Sequence, residues 1–421
     1  MSLPDAITAP LEQWVAAQRW FASKSREIAS VNILRRVELS SDPALAMALV
    51  EARFQSGMHE LYQLLPGEPD GARVLGDLFG SEAAIDGVAF HGGVTPTGAM
   101  RQMGAEQSNT SVVFGEEHVL KVFRRVEPGV NPELEMLRFL SLREFPNIAA
   151  LTGWYEYAGE LMHATLGVLQ EYVGEARDGW QLALDDPRGL LARVPELGAA
   201  TGEMHSVLAS DTEDPAFVAE VPSSEALSLL TATIDEQIER VFIDLPPGAP
   251  ALAPIAGRGE EVRDRLQSMS HVGVGGRLIR HHGDFHLGQT LLSDARWIML
   301  DFEGEPARSL LERRRKRSPL RDVAGMLRSF AYAASASQLL RGVPAPEGWE
   351  EQARTGFLDA YLDAVDPALL PAGRPATEKL LAIFELEKAV YELRYELNNR
   401  PDWVAIPVAG IARLLETEVS T

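Results

Sequence analysis

The sequence predicts an α+β chain of two lobes with an extra N-terminal piece. Two observations lead there. Strand-like segments fill the first part of the chain: VNILRRVEL, LAMALVEARF and HELYQLL, then SNTSVVFG, HVLKVFRRV, GWYEYA and ATLGVLQEYVG. After residue 173 the apolar spacing turns helical, except in RLIRHHGDFHLGQTLLSDARWIMLDFEG, where two short strands are expected to flank a loop. A length of 421 residues suits two or three folding units.

In order along the chain, Leu11, Trp14, Val15 and Trp20 stand at helical spacing and predict an amphipathic helix over 8–22. Strands over 30–64 end at a turn cluster of Pro66, Gly67, Pro69 and Gly71, and a helix is expected over 72–85. GGVTPTG at 92–98 reads as a linker. Gly115-Glu116-Glu117 signals a hairpin, and Asn131-Pro132 before ELEMLRFLSLRE signals a capped helix start. A further helix is expected over 377–397. The expected boundaries give pieces of 1–85, 86–173 and 174–421.

Hydrophobic residues make up 46% of the chain, enough for a sizeable core. The formal net charge is −22, which disfavours bulk nucleic-acid binding and a basic membrane patch. The absence of cysteine excludes disulfides, thiol nucleophiles and zinc–thiolate sites. The N-terminus carries charges and no signal-peptide pattern, and no long apolar run is present, so a cytoplasmic location is expected.

The chemistry concentrates in His282-Gly283-Asp284-Phe285-His286-Leu287-Gly288-Gln289, followed by Asp301-Phe302-Glu303. Phosphoryl transfer needs a base for the acceptor hydroxyl and metal ions to neutralise phosphate charge. Asp284 has the place of that base, with Gln289 and Asp301 at the spacing of Mg²⁺ ligands; the protein-kinase pattern H-R-D-x-x-x-x-N then D-F-G is the comparison. A transition-metal cluster of His281, His282, Asp284 and His286 is a weaker reading, because the spacing matches no metal motif.

Upstream, such a site needs a strand lysine for the α/β-phosphates and an acid on the next helix to orient it. The only lysines are Lys24, Lys121, Lys316, Lys379 and Lys388, and Lys121 lies inside an apolar strand. Glu133 and Glu135 both lie on the following helix, and Glu135 is the favoured partner. One hairpin earlier, Glu106-Gln107-Ser108-Asn109-Thr110-Ser111 offers N–H and O–H donors to phosphate, with Ser108, Asn109, Thr110 and Ser111 as candidates. Gln170 and Tyr172, in LQEYV, suit a hinge against an adenine edge, or an ordinary strand end.

EQSNTSVVF, LKVFRRV, HGDFHLGQ, DFEGEP and SPLRDVAGMLRSF, with QRWFASKSRE and NNRPDWVAIP, resemble the maltokinases, aminoglycoside-phosphotransferase-like sugar kinases, from about residue 12 to about residue 413. The resemblance implies a bilobal protein-kinase-like fold with an N-terminal α+β cap, a β-rich nucleotide-binding intermediate subdomain and a large helical C-terminal lobe. It implies ATP and Mg²⁺, and transfer to the anomeric hydroxyl of maltose on a trehalose-to-glucan (glycogen) route. A trehalose synthase or other glucan-pathway enzyme is an expected partner. It implies Asp284 as base, Gln289 and Asp301 as magnesium ligands, Lys121 with Glu135 as the nucleotide-side ion pair, and Glu303 near the metals or the sugar. The chain departs from the family pattern in a shortened cap-to-intermediate region and in Phe285.

A disaccharide site mixes hydrogen-bonding groups with aromatic platforms. Lys388, Tyr391 and Tyr395 lie at i, i+3 and i+7 of one helix and are the substrate candidates. Trp403 is expected to lock the C-terminus, His205 to sit in the core, and Asp322 and Arg321 to brace the catalytic loop. The basic run Arg313 to Arg317 reads as a solvated loop, with a flap or an acidic-partner strip as its functional reading. The alternatives to maltose are another small acceptor, such as glucosamine or an aminoglycoside, and a non-catalytic kinase-like docking module.

Overall fold

The computed structural model describes residues 5–68, 71–103, 108–223, 225–269, 275–293, 296–306 and 308–416. The expected phosphate-facing residues Glu106 and Gln107 lie outside these. The chain divides into two compact units, residues 1–144 with 148–175, and residues 145–147 with 176–421.

The first unit opens with helix α1 (Leu11–Ala17), shorter than the expected 8–22. Pro10 precedes it, and Gln18 turns extended, so Trp20 and Phe21 reach the core from beyond the helix. Strands β1 (Ile28–Ser41), β2 (Ala44–Phe54) and β3 (His59–Leu64) form an antiparallel meander. Helix α2 spans Gly71–Gly80. There follow β4 (Ala84–Ile85), β5 (Val88–His91), β6 (Met100–Gln102), β7 (Asn109–Phe114), β8 (His118–Phe123) and β9 (Arg125–Val126). Helix α3 (Pro132–Leu142), β10 (Leu151–Ala158) and β11 (His163–Glu171) complete the unit.

These strands make two sheets, ordered β1-β2-β3-β9 and β4-β5-β10-β11-β8-β7-β6. The expected boundary at residue 85 cuts the β4–β5 hairpin, where Ile85 pairs with Val88, and β9 returns to the first sheet. Buried polar groups tie the sheets together. Gln63 on β3 donates to the carbonyls of Phe123 and Leu166 at 3.0 and 2.9 Å and accepts from the Tyr155 hydroxyl at 2.8 Å. Each bond satisfies a group that would otherwise be costly to bury.

The second unit contains β12 (Arg177–Asp178), α4 (Gly179–Asp185), α5 (Pro187–Leu208), α6 (Ala226–Ile243) and α7 (Gly259–Met269). Then come β13 (Thr290–Leu292), β14 (Trp297–Met299), α8 (Leu310–Arg313), α9 (Leu320–Arg341), α10 (Trp349–Ala364), α11 (Arg374–Asn399) and α12 (Ala405–Glu416). The short sheet is ordered β12-β13-β14. Both expected strands therefore follow the HGD loop instead of flanking it. Before the loop, Leu278 and Ile279 make only single bridges, to Glu220 and Arg317, because the next backbone groups turn to a side chain.

Helices α5 and α10 cross closely. A Cβ at Gly198 would press into the Phe357 carbonyl, so glycine permits the approach. Helix α11 is pinned by buried ion pairs. Arg328 on α9 donates to Glu392 at 2.9 and 2.6 Å, and Arg354 on α10 meets Glu385 at 2.8 Å. Trp403 stacks on Tyr332 with ring centroids 6.1 Å apart, which locks the C-terminal segment as expected. Among the described residues no helix is long and apolar enough to cross a membrane.

Candidate active site

The HGD loop is held from below by Asp322, in the first turn of α9. Its carboxylate accepts the His282 N–H at 2.7 Å and the Gly283 N–H at 2.9 Å, and the His205 ring at 3.1 Å. The Tyr361 hydroxyl meets the other nitrogen of His205 at 3.1 Å, so the imidazole is a fully buried core residue. Burial alone would raise the Asp322 carboxyl, but His281, His205 and His282 around it hold it well below the usual range. Gly283 has φ +86°, a conformation that favours glycine, and this turn carries Asp284 out of the packed layer.

His282 links the loop to the end of β14. Its Nε2 lies 2.8 Å from the Leu300 carbonyl, and its Nδ1 lies 3.4 Å from the Asp284 N–H. One tautomer, with the proton on Nε2, serves both contacts. The ring also packs against Phe285 and Phe302. Phe285 thus belongs to the hydrophobic support of the loop.

Gln289 and Asp301 meet because of hairpin register. Thr290 pairs with Met299, and the Leu300 N–H donates to the Gln289 carbonyl at 2.9 Å. The next residue, Asp301, accepts from Gln289 Nε2 at 3.0 Å. Asp301 has φ +62°, a region that costs most non-glycine residues but admits aspartate more readily. Oxygens of Asp301 and Glu303 lie within 4.8 Å of one another, and the Gln289 side chain, donating through Nε2, keeps its amide oxygen Oε1 outside that bond. This is an all-oxygen donor set, the kind a hard cation such as Mg²⁺ takes. Glu303 sits with Asp301, and it does not line the cavity described next.

A cavity opens beside Asp284, lined by residues that include Glu305, Arg317, Phe384, Lys388 and Tyr391. The Asp284 carboxylate, 27% exposed, lies 3.8 Å from Lys388 Nζ. Tyr391 and Glu305 share the cavity wall, and burial together with that carboxylate raises the Tyr391 pKa. Two sequence expectations change here. Tyr395 does not line the cavity; it is 45% exposed with Arg400 over its ring, because i+7 carries it one turn past Tyr391. Arg321 does not brace the loop; it pairs with Glu387 at 2.8 Å, lies over Phe384 and faces the cavity.

The basic run is likewise no solvated loop. Arg313 donates to the Glu303 carbonyl at 3.0 Å, and Lys316 reaches Glu220 and the Pro215 carbonyl at 2.7 Å each. Arg317 pairs its backbone with Ile279 and lines the cavity, which leaves Arg315 exposed. Sequence reasoning misses Glu305, Arg308, Arg317 and Glu387 as cavity residues; their only signal is proximity to DFEGEP and to the Lys388 helix.

In the first unit, Lys121 lies on β8 and donates to Glu133 at 2.6 Å with both side chains buried. Glu133, the other candidate acid on this helix, is thus a partner of Lys121. Two residues along a helix turn the side chain by about 200°, and the N-cap bond from Glu133 N–H to Asn131 at 2.8 Å orients residue 133 toward the sheet. Of the expected phosphate donors, Thr110 and Ser111 are drawn into β7 and buried, and the Thr110 hydroxyl is taken by Arg124 at 2.8 Å. Ser108 and Asn109, at the strand entrance, stay accessible.

At the expected hinge, Gln170 donates to the Ala149 carbonyl at 3.2 Å, and the Tyr172 hydroxyl accepts from Arg101 at 2.7 Å. The backbone N–H groups of Glu171 and Tyr172 are engaged by Ala150 and Glu117. These two N–H groups are therefore spent within the sheet.

A loop aspartate over a polar cavity, an amide and a carboxylate across a hairpin, and a strand lysine paired to a helix acid together define a phosphotransferase. Residues 99–357 match the model of the phosphotransferase enzyme family, and the chain belongs to that family. Residues 14–75 match the maltokinase N-terminal cap domain. The fold is thus the protein-kinase-like α+β fold expected from sequence, with a cap ahead of it. The chain is 30% identical over 353 residues to a glucosamine kinase of Streptacidiphilus jiangxiensis, covering 79% of this chain and 77% of that one. It is 27% identical over 349 residues to a glucosamine kinase of Mycolicibacterium smegmatis, covering 76% and 81%. A solved glucosamine kinase in complex with glucosamine, ADP and inorganic phosphate shares the fold with a TM-score of 0.73 at 22% identity, over 97% of this chain and 100% of that one.

Proposed function

We propose that this chain is an ATP-dependent sugar kinase whose acceptor is glucosamine or a closely similar single-ring sugar. The observation that carries the reading is Asp284 at the wall of a cavity that also presents Lys388, Tyr391 and Glu305. Phe384 and Tyr391 offer aromatic surface to a sugar ring, and the charged groups offer partners to its hydroxyls and amine. Maltose, the acceptor expected from the resemblance, gives way for two reasons. Two relatives that match over three quarters of both chains are named for glucosamine, and the family model named for maltokinase covers only residues 14–75.

In this reading the acceptor hydroxyl gives its proton to Asp284 as its oxygen attacks the γ-phosphorus and the bond to the ADP oxygen breaks. General-base help of this kind is worth about 10²–10⁴ in rate. Lys121, oriented by Glu133, binds the α/β-phosphates, and Ser108 and Asn109 lie at the entrance of the preceding strand. Gln289, Asp301 and Glu303 would hold Mg²⁺, which supplies charge neutralisation for the phosphates when bound. Residues 14–75 serve as a cap, the seven-stranded sheet carries the nucleotide-binding groups, and the second unit carries the acceptor cavity and the base.

The test is ADP release with Mg·ATP and glucosamine, glucose, maltose or kanamycin, with ³¹P NMR to place the phosphate. Glucosamine should exceed maltose at least tenfold in kcat/KM, and Asp284→Asn should lower kcat by about 10²–10⁴. A preference for maltose or kanamycin overturns the acceptor, and no ADP release with any acceptor overturns the kinase.

A further inference from the structure

Three of the four arginines that line the cavity have a carboxylate or carbonyl partner. Arg308 donates to Glu305 at 2.5 Å, Arg321 pairs with Glu387 at 2.8 Å, and Arg313 reaches the Glu303 carbonyl at 3.0 Å. Arg317 lines the same cavity, and among the described residues its guanidinium has neither an ion-pair nor a hydrogen-bond partner. It is partly buried and held in place by the two-way backbone pairing of Arg317 with Ile279. Burial first, then Arg321 and Arg308 beside it, push its pKa down to about 10, so the group stays charged at neutral pH. Glu387, already paired with Arg321, partly opposes this shift, and His281 in the cavity wall is held neutral by burial.

A guanidinium withdrawn from water and set beside two others is costly unless an anion joins it. A planar guanidinium also matches phosphate and carboxylate oxygens in bidentate fashion. In a chain of net charge −22, so many arginines on one cavity are no consequence of overall composition.

We propose that Arg317, flanked by Arg308 and Arg321, forms an anion site in the acceptor cavity that takes a phosphate or carboxylate group. The group is either carried on a sugar ligand or free inorganic phosphate. The inference is independent of glucosamine being the acceptor.

Calorimetric titration without nucleotide or Mg²⁺ tests it, using inorganic phosphate, glucosamine 6-phosphate and gluconate as probes on the full chain. At least one probe should bind the wild type in the millimolar range or tighter. Arg317→Gln should weaken that binding at least tenfold, Arg317→Lys should restore part of it, and Arg315→Gln, at an exposed neighbour, should leave it unchanged. Equal binding of phosphate and glucosamine 6-phosphate assigns the site to the free anion, and at least tenfold tighter binding of glucosamine 6-phosphate or gluconate assigns it to a sugar-borne group. If Arg317→Gln does not fold, phenylglyoxal modification of wild-type Arg317, read by peptide mass, replaces it, and the bound probe should slow modification at least tenfold. No binding of any probe, variant binding within twofold of wild type, or an unchanged modification rate overturns the site. Because no nucleotide is present, these outcomes stand whether or not the kinase assay finds glucosamine turnover.

Discussion

Asp322 holds His282 through its backbone: the carboxylate accepts that N–H at 2.7 Å, and the neighbouring Gly283 N–H at 2.9 Å. Removing the carboxylate leaves two buried donors unpaired and His205 without its partner. Asp322→Ala is expected to cost about 3–5 kcal/mol, as for other broken buried charge pairs. Urea unfolding measures this, and in protein that remains folded kcat should fall more than the acceptor KM rises, because the loop loses its position while the cavity remains.

The same cluster sets a pH dependence. His281 is pushed down to about 3, chiefly by burial, against an unfolded value of about 6.5. The unfolded chain therefore binds the proton more readily, and the stabilisation is present above about pH 6.5 and lost as pH falls from there toward 3. Asp322, also depressed, adds a loss of the same sign that starts below about pH 4. Urea midpoints should drop between pH 7.5 and 5, and His281→Gln should flatten that slope; an unchanged slope in the variant would show that His281 is not its source.

Lys121 and Glu133 form a buried ion pair. Lys121→Met should lower kcat/KM for ATP by about 10²-fold or more and Glu133→Gln by about tenfold, consistent with loss of a charge-assisted bond. Steady-state kinetics with varied ATP at saturating acceptor decide the order.

Tyr391 and Tyr395 should behave differently although both are half exposed on one helix. Tyr391→Phe removes a hydroxyl from the cavity wall shared with Glu305 and should raise the acceptor KM by about fivefold, the worth of roughly one hydrogen bond to the acceptor. Tyr395→Phe should leave it unchanged within twofold.

Arg328 and Glu392 test a structural pair. Arg328→Met leaves a buried carboxylate unpaired and should cost about 3–5 kcal/mol, whereas Arg328→Met with Glu392→Leu should recover most of that loss. Thermal and urea unfolding of the single and double variants measure the coupling.

Local pattern makes much of this protein legible in its sequence. Strand-like runs of apolar and β-branched residues mark β1 to β3, β7, β8, β10 and β11, and Asn131-Pro132 marks the start of α3. The Asp284, Gln289 and Asp301 spacing is legible because a hairpin of fixed register converts twelve residues of sequence into one hydrogen bond between Gln289 and Asp301. His205 and Trp403 read as packing residues from their apolar neighbourhoods, and both pack.

Other features depend on contacts between segments far apart in the chain, which periodicity does not encode. Glu133 and Glu135 both sit on the right helix, and periodicity does not say that Glu133 meets Lys121 at 2.6 Å. Thr110 and Ser111 look accessible in sequence, but Arg124 and the second sheet face bury them. The Arg313 to Arg317 run carries its charges openly in sequence, yet the Ile279 bridge sets Arg317 on the cavity, and Glu387 on α11 holds Arg321 beside it. By itself the sequence determined the elements and the chemistry of the HGD loop, because those rest on local backbone preference and short spacing. The tertiary structure alone decided which acid meets which base and which side chains face the cavity, because long-range packing selects one partner from several that are locally equivalent.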